Sequence, residues 1–194
     1  MLSLRLLCLL TCVALAACSI PYKTPDAQAR IEHDLNIAHG DIVSMAETNF
    51  CAFNYGQEAF CRAEIGLGVL THKGLILATY SFGQYKTWLT LRPDDVLCGR
   101  TDTARDAPES FVMFTRNYAA MIIPLDDKGQ FNGPMHGQIS DYLLSKGQPL
   151  LIGNAGAFTR PSERNKVIAG MIPGTNLPYA TEVGYREAYN PCQQ

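Results

Sequence analysis

The chain has 194 residues, a formal net charge of −2 and a hydrophobic content of 47%. This length fits one domain, the hydrophobic content supports a packed core, and the slightly acidic balance provides no basic surface for nucleic acid. We therefore expect a single globular body and exclude a nucleic-acid partner.

The N-terminal residues form a short basic and apolar leader. Arg5 precedes an apolar run over 6–17, which is too short for a transmembrane helix because such a helix needs about 20 apolar residues. The run matches the apolar region of a secretory signal. Ordinary cleavage at the Ala-x-Ala site that ends at Ala16 is one way in which this leader could be removed.

The sequence Leu15-Ala16-Ala17-Cys18 favours a different processing event. It resembles the lipobox of bacterial lipoproteins, in which the cysteine thiol receives a diacylglyceryl group and the signal peptidase cuts just before that cysteine. The resemblance implies a signal peptide over 1–17, a lipidated Cys18 and a water-soluble body held on a membrane by its acyl chains. Ser19 resembles the residue that follows the cysteine in outer-membrane lipoproteins of enteric bacteria. We therefore expect the outer membrane, facing the periplasm.

The other exported cysteines are an even set of four: Cys51, Cys61, Cys98 and Cys192. An even number suits disulfides in an oxidising compartment. Turn-forming Asn and Gly lie between Cys51 and Cys61, which predicts a hairpin with these two cysteines paired and leaves Cys98 for Cys192. Free thiols or a zinc site are the alternatives, although no two cysteines have the C-x-x-C spacing typical of structural zinc.

We expect residues 18–24 to form a lipidated tether that leads into a helix. Thr24 provides a capping hydroxyl, and Pro25 suits the first helical position. Apolar residues then recur at helical spacing up to a glycine that is a stop signal: Ile31, Leu35, Ala38 and Gly40. The polar positions, which include Asp26, Glu32 and Asp34, are not rich in Lys and Arg as those of membrane-lying helices are, so this helix is expected to pack on the domain.

Residues 41–125 have the pattern of β-strands. Apolar or alternating runs bounded by turn residues occur at 67–71, 75–80, 86–91, 111–115 and 119–125. Strict alternation in the third run places Trp88 on the face opposite Leu89 and Leu91. We therefore predict that Trp88 is a core residue, covered by a helix or by the C-terminal tail.

A second helix is predicted between Pro134 and the stop signals Gly147 and Pro149. One of its faces is apolar and consists of Met135, Ile139, Tyr142 and Leu143.

The stretch from Gly68 to Leu77, which reads GVLTHKGLIL, resembles the strand-turn-strand of the pleckstrin-homology-like fold and of its GRAM and bacterial PH relatives. The resemblance implies a mainly β domain over 25–147. It would be a small antiparallel sandwich or barrel with a capping C-terminal helix. Phosphoinositide binding is not transferred to any residue, because the chain lacks the basic clusters of the lipid-binding members. Residues 148–194 are expected to be an irregular extension attached through Cys192, with short strands only near 150–152 and 167–169.

The sequence contains no pattern that indicates a cofactor, a metal or a catalytic residue. His33, His39, His72 and His136 lack metal-ligand spacing, and no serine occupies a G-x-S-x-G elbow. A thiol hydrolase built from Cys98, His136 and Asp141 would require a free thiol. Residues 153–156 could offer backbone amides to a phosphate, but a turn is the simpler interpretation.

The densest basic cluster consists of Arg160, Arg164 and Lys166. We interpret it as a solvated loop, with contact to anionic lipid or cell-wall groups as the alternative. The sequence as a whole favours a membrane-anchored, non-catalytic interaction module whose partner is an envelope protein or a cell-wall component. The alternative is a tethered periplasmic hydrolase with an unrecognised site.

Overall fold

A computed structural model describes residues 20–102, 110–152 and 158–193. Two helices are present in this part of the chain, α1 (Pro25–Asp34) and α2 (Gly133–Leu143). The strands are β1 (Ile42–Asn54), β2 (Glu64–Thr71), β3 (Gly74–Ser81), β4 (Gln84–Leu91), β5 (Val96–Asp102), β6 (Ser110–Thr115), β7 (Tyr118–Pro124), β8 (Leu150–Leu151), β9 (Thr159–Met171) and β10 (Pro178–Ala188). A short 3-10 turn, Pro191–Gln193, follows β10.

Eight of the strands form one mixed sheet in the order β4-β3-β2-β1-β7-β6-β5-β8. Neighbouring strands are antiparallel except for β5 and β8. Residues 92–95 connect β4 to β5, although five other strands lie between these two in the sheet. Because so short a segment reaches at most about 17 Å, the sheet must curl until the two strands approach one another. The protein is therefore mainly β, as predicted.

The curled sheet is not a closed barrel. Among the described residues, no backbone ladder joins β4 to β5. The expectation of a barrel is wrong in this respect, and the reason is that β5 pairs on its outer side with the short strand β8.

Helix α2 covers one face of the sheet. Its buried residues Met135, Ile139 and Leu143 pack into a cluster with side chains from β1, β3 and β6 among others. The helix starts after Asn132, whose side chain accepts a hydrogen bond from the amide of Met135 at 3.1 Å. The predicted second helix, with its apolar face, is confirmed.

Helix α1 lies on the opposite face, over β2, β3 and β4. The Thr24 hydroxyl caps it by accepting a hydrogen bond from the amide of Ala27 at 3.2 Å. The helix ends at Asp34, before the predicted stop at Gly40, and Asn36 soon after it has a φ of +52°. Ile31 is fully buried against Leu67 and Val69 of β2.

The residues just before α1 lie against the body of the protein. Ile20 and Tyr22 pack on the cluster beneath α1. The hydroxyl of Tyr85 donates a hydrogen bond to the carbonyl oxygen of Pro21. The part of the expected tether that the structure describes is therefore docked rather than extended into water.

The C-terminal extension differs from its prediction. Strands β9 and β10 form a long two-stranded hairpin, where an irregular tail was expected. The short strands predicted near 150–152 and 167–169 are present, the first as β8 and the second as part of β9. The glycines and prolines that suggested loops lie mostly in the turn over 172–177 or at the ends of the two strands.

Candidate interaction surface

Two disulfides hold the elements around the C-terminal segment. Cys51 is bonded to Cys61 and Cys98 to Cys192, with Cα–Cα distances of 5.7 Å and 6.0 Å. The predicted pairing is confirmed. The hairpin that motivated it is only partly correct, because residues 59–63 form no strand and β1 pairs instead with β2.

The disulfide at Cys98 removes the thiol that a hydrolase would use as its nucleophile. The ring of His136, the proposed base, packs edge-on against Phe111 and Phe131, with centroids 4.6 Å and 5.2 Å away. The structure therefore does not support the imagined arrangement of Cys98, His136 and Asp141.

The predicted lipidation site Cys18, the signal peptide 1–17 and the glycine-rich stretch 153–156 lie outside the described residues. Within the described ranges, no group of three or more His, Cys, Asp or Glu side chains could hold a metal ion.

We call the hairpin formed by β9, residues 172–177 and β10 the arm. The base of the arm is joined to the sheet by backbone hydrogen bonds. The Ala188 carbonyl accepts from the Gly56 amide at 2.8 Å, and the Arg186 carbonyl accepts from the Ala59 amide at 2.9 Å. Phe158, just before β9, packs against Phe53 and contributes to a buried cluster that includes both Cys98 and Cys192. The base is therefore fixed to the body.

Charged groups also hold the base. Glu187 is buried at 8% exposure, and its carboxylate accepts hydrogen bonds from Arg160 Nε at 2.8 Å and from the Ser162 hydroxyl at 3.2 Å. Arg164 lies 3.6 Å from the same carboxylate. The hydrogen bond from Arg160 is the main cause that lowers the pKa of Glu187, because it stabilises the charged form.

These contacts correct the interpretation of the basic cluster. Arg160, Arg164 and Lys166 lie on a strand rather than in a loop. Two of them pair with Glu187, and Lys166 pairs with Glu58 at 2.5 Å. Much of their charge is compensated within the protein, which weakens the alternative that they bind anionic lipid or cell-wall groups.

The outer part of the arm is apolar and uncovered. Between Lys166 and Glu182 the chain has fifteen residues without a charged side chain. Six large apolar side chains there are exposed by 41% or more: Val167, Ile168, Met171, Ile172, Leu177 and Tyr179. Large exposed apolar patches on proteins are typical of interaction sites, which makes the outer arm the candidate surface.

Both faces of the outer arm contribute to this surface. The strand pairing places Val167 and Met171 on one face and Ile168 on the other. Tyr179, which pairs with Gly170, lies on the same face as Ile168. Outside its base, among the described residues, each strand of the arm pairs only with the other, so both outer edges carry free backbone groups.

Sequence reasoning predicted one short strand of the arm, near 167–169, but missed the long hairpin because it expected loops over the rest of the segment. The signal that could have found it is the uncharged stretch between Lys166 and Glu182, because both halves of this stretch can form strands around the turn signal Pro173-Gly174.

Trp88 is not a core residue, and that prediction is wrong. It is 39% exposed, and its ring lies 5.0 Å from the ring of Phe50 at an interplanar angle of 46°. The strand register shows why: Leu89 pairs with Leu77 but Thr87 pairs with Ala78, so Trp88 is an extra, bulged residue. A bulge breaks the alternation and places Trp88 at the margin of the face that α2 covers.

A concave region with a volume of about 520 Å³ lies between α1 and the start of β1. Its charged lining includes Glu32, which accepts a hydrogen bond from the ring of His39 at 3.0 Å. This contact raises the pKa of His39 and lowers that of Glu32. The charges of Glu32 and His39 therefore satisfy each other rather than a ligand.

No protein-family model, curated protein or solved structure matches this chain. In the ranges that the structure describes, neither helix is long and apolar enough to cross a membrane.

Proposed function

We propose that this protein is a lipid-anchored protein of the bacterial cell envelope that acts as a non-catalytic interaction module and binds a protein partner through the arm. The observation that carries the proposal is the outer arm, in which six exposed apolar side chains lie on a hairpin whose base is fixed to the body. A two-stranded hairpin is marginally stable on its own in water, so this one needs its fixed base and gains from a partner.

The free edges of the arm favour a protein over the hydrocarbon of a bilayer. Unpaired backbone amides and carbonyls are costly in hydrocarbon because no water is present to satisfy them. A protein partner can add a strand to either edge and cover the apolar side chains at the same time. A single contact with a protein would then pair the free backbone groups of the outer arm and cover its apolar side chains.

The membrane anchor is supported by the sequence Leu15-Ala16-Ala17-Cys18 and by an even set of cysteines that suits an oxidising compartment. A pleckstrin-homology-like arrangement of the body is supported by the order of its elements, since seven strands, β1 to β7, are followed by α2. We infer an outer-membrane location from Ser19, as the resemblance to enteric lipoproteins implies.

The partner is tested by site-specific photocrosslinking in cells that express the full chain. A photoreactive residue at Val167 or Leu177 should yield one dominant protein adduct, whereas the same residue at exposed Lys128, in the turn between β7 and α2, should not. Ile168→Lys combined with Tyr179→Lys should reduce the adduct at Val167 at least fivefold. Both residues are exposed, so the fold should survive.

Equal adducts at Val167 and Lys128, or adducts with lipid alone, would refute the arm as a protein-binding surface. The anchor is tested separately by fatty-acid labelling, which Cys18→Ala should abolish. Protein found only in the inner membrane after fractionation would contradict the outer-membrane location.

A further inference from the structure

Phe82 is a fully exposed aromatic residue at the tip of the hairpin between β3 and β4. Its relative exposure is 104%. Ser81 pairs with Gln84, so Phe82 and Gly83 form a two-residue turn, with φ values of +51° and +79°. Positive φ at both positions is the geometry that favours Asn or Gly, and it is strained for a bulky residue. Neither packing within the protein nor turn geometry explains a phenylalanine there.

The turn lies close to the start of the described chain. Tyr85, three residues after Phe82, donates its hydroxyl hydrogen bond to the carbonyl of Pro21. Ile20 packs in the same cluster as Tyr85. Only Ser19 separates Ile20 from the predicted anchor Cys18 in the sequence.

Aromatic and basic side chains lie around the turn. The half-buried ring of Tyr80 packs 4.8 Å from the ring of Tyr85, which is itself buried in the cluster beneath α1. The guanidinium of Arg30 lies 3.5 Å from the carbonyl oxygen of Gly83, and Lys86 is exposed on the adjoining strand. Aromatic rings are enriched at the headgroup level of bilayers, and basic side chains are attracted to anionic lipid.

We propose that the turn of Phe82 and Gly83 is a second membrane contact, in which Phe82 enters the interfacial layer of the bilayer that holds the acylated Cys18. The proposal rests on the lipid anchor of the proposed function. The anchor confines the body to the membrane surface, so a single aromatic side chain can act at a high effective concentration of lipid. Its effect is to orient the body, because an anchor at one residue leaves rotation about that residue free.

The test uses the full-length acylated protein in phosphatidylethanolamine and phosphatidylglycerol vesicles, with one fluorescent reporter at a time. Trp88→Phe removes the native tryptophan, and Phe82→Trp or Phe60→Trp introduces the reporter. Phe60 is the matched control because it is a phenylalanine exposed by 77% in the segment that connects β1 to β2. We expect brominated lipids to quench the reporter at 82 at least threefold more than the reporter at 60.

A second variant, Phe82→Asn, relieves the strained φ and should leave the unfolding midpoint unchanged or raised. On vesicles it should increase the rotational freedom of a spin label on Lys86 by at least twofold. Acylation is checked by mass. Acylated protein in which the reporter at 82 stays unquenched, or is quenched no more than at 60, refutes the membrane contact but leaves the anchor intact. Protein without acyl chains refutes the anchor and the contact together.

Discussion

The carboxylate of Glu187 and the Nε atom of Arg160 lie 2.8 Å apart across the two strands of the arm, at the point where the arm meets the sheet. Because Glu187 is buried and also accepts from Ser162, Glu187→Gln should loosen the base. We expect faster amide hydrogen exchange across 159–171 and 178–188, with little change in β1 to β7. Glu163→Gln, at an exposed position on the same strand, is the control and should change neither region.

The same carboxylate predicts an acid dependence. Its pKa in the folded protein lies below the ordinary value of 4.5, so its contribution to stability is present above pH 4.5 and is lost as the pH falls through the folded pKa. The protection factors of the arm amides, which are corrected for the intrinsic pH dependence of exchange, should therefore fall below pH 4.5 in the wild type. Glu187→Gln should remove that part of the pH dependence, and an unchanged acid profile in this variant would contradict the assignment.

The two disulfides should differ in their effect on stability. In the loop-entropy account, the Cys98–Cys192 bond, with a sequence separation of 94, contributes about 4 to 5 kcal/mol, and the Cys51–Cys61 bond about 3 kcal/mol. Replacing both cysteines of a pair by serine and measuring denaturant unfolding tests this order. A larger loss for the 51–61 pair would show that packing, rather than loop closure, decides the effect.

Gly66 should tolerate no side chain. A Cβ atom at this position would lie 2.8 Å from the ring of Phe50 and would collide with the carbonyl oxygen of Ala78. We expect Gly66→Ala to lower the free energy of unfolding by about 1 to 3 kcal/mol. Gly137→Ala, in α2 with open space around it, is the matched control and should stabilise the protein by about 0.5 to 1 kcal/mol.

The fluorescence emission maximum of Trp88 should lie between those of a buried and of a water-exposed indole, because 39% of its surface is exposed. Trp88→Ala should cost about 2 kcal/mol, below the 3 to 5 kcal/mol of a fully buried aromatic residue. Trp88→Phe keeps a ring against Phe50 and should cost less than half of that. A cost for Trp88→Ala above 4 kcal/mol would restore the original prediction of a core residue.

The strands could be predicted where apolar runs are separated by turn residues. The turn at His72-Lys73 and the turn at Phe82-Gly83 separate apolar runs, and the structure has β2, β3 and β4 in those places. The face of Trp88 could not be predicted, because a bulge adds one residue to β4 and a strictly alternating pattern does not allow for an extra residue.

The candidate site was harder to predict than the fold. The disulfide partners followed from a local turn and from elimination, both of which depend on sequence alone. Of the arm only a short strand near 167–169 was predicted, because most of β9 and β10 shows no alternation of polar and buried residues, and even Val167 and Ile168 are both exposed although they lie on opposite faces. Composition rich in Gly and Pro then favoured loops.

The bulge at Trp88 has a consequence for solubility. Among the described residues, strand β4 forms one edge of the sheet, and a strand from another molecule could otherwise pair with it. An extra residue in its middle, together with the exposed charge of Lys86, distorts the spacing of amides and carbonyls that such a strand would need to match. Deleting Thr87 would restore regular spacing along this edge, and we expect the shortened protein to aggregate by edge-to-edge pairing at lower concentrations than the natural chain.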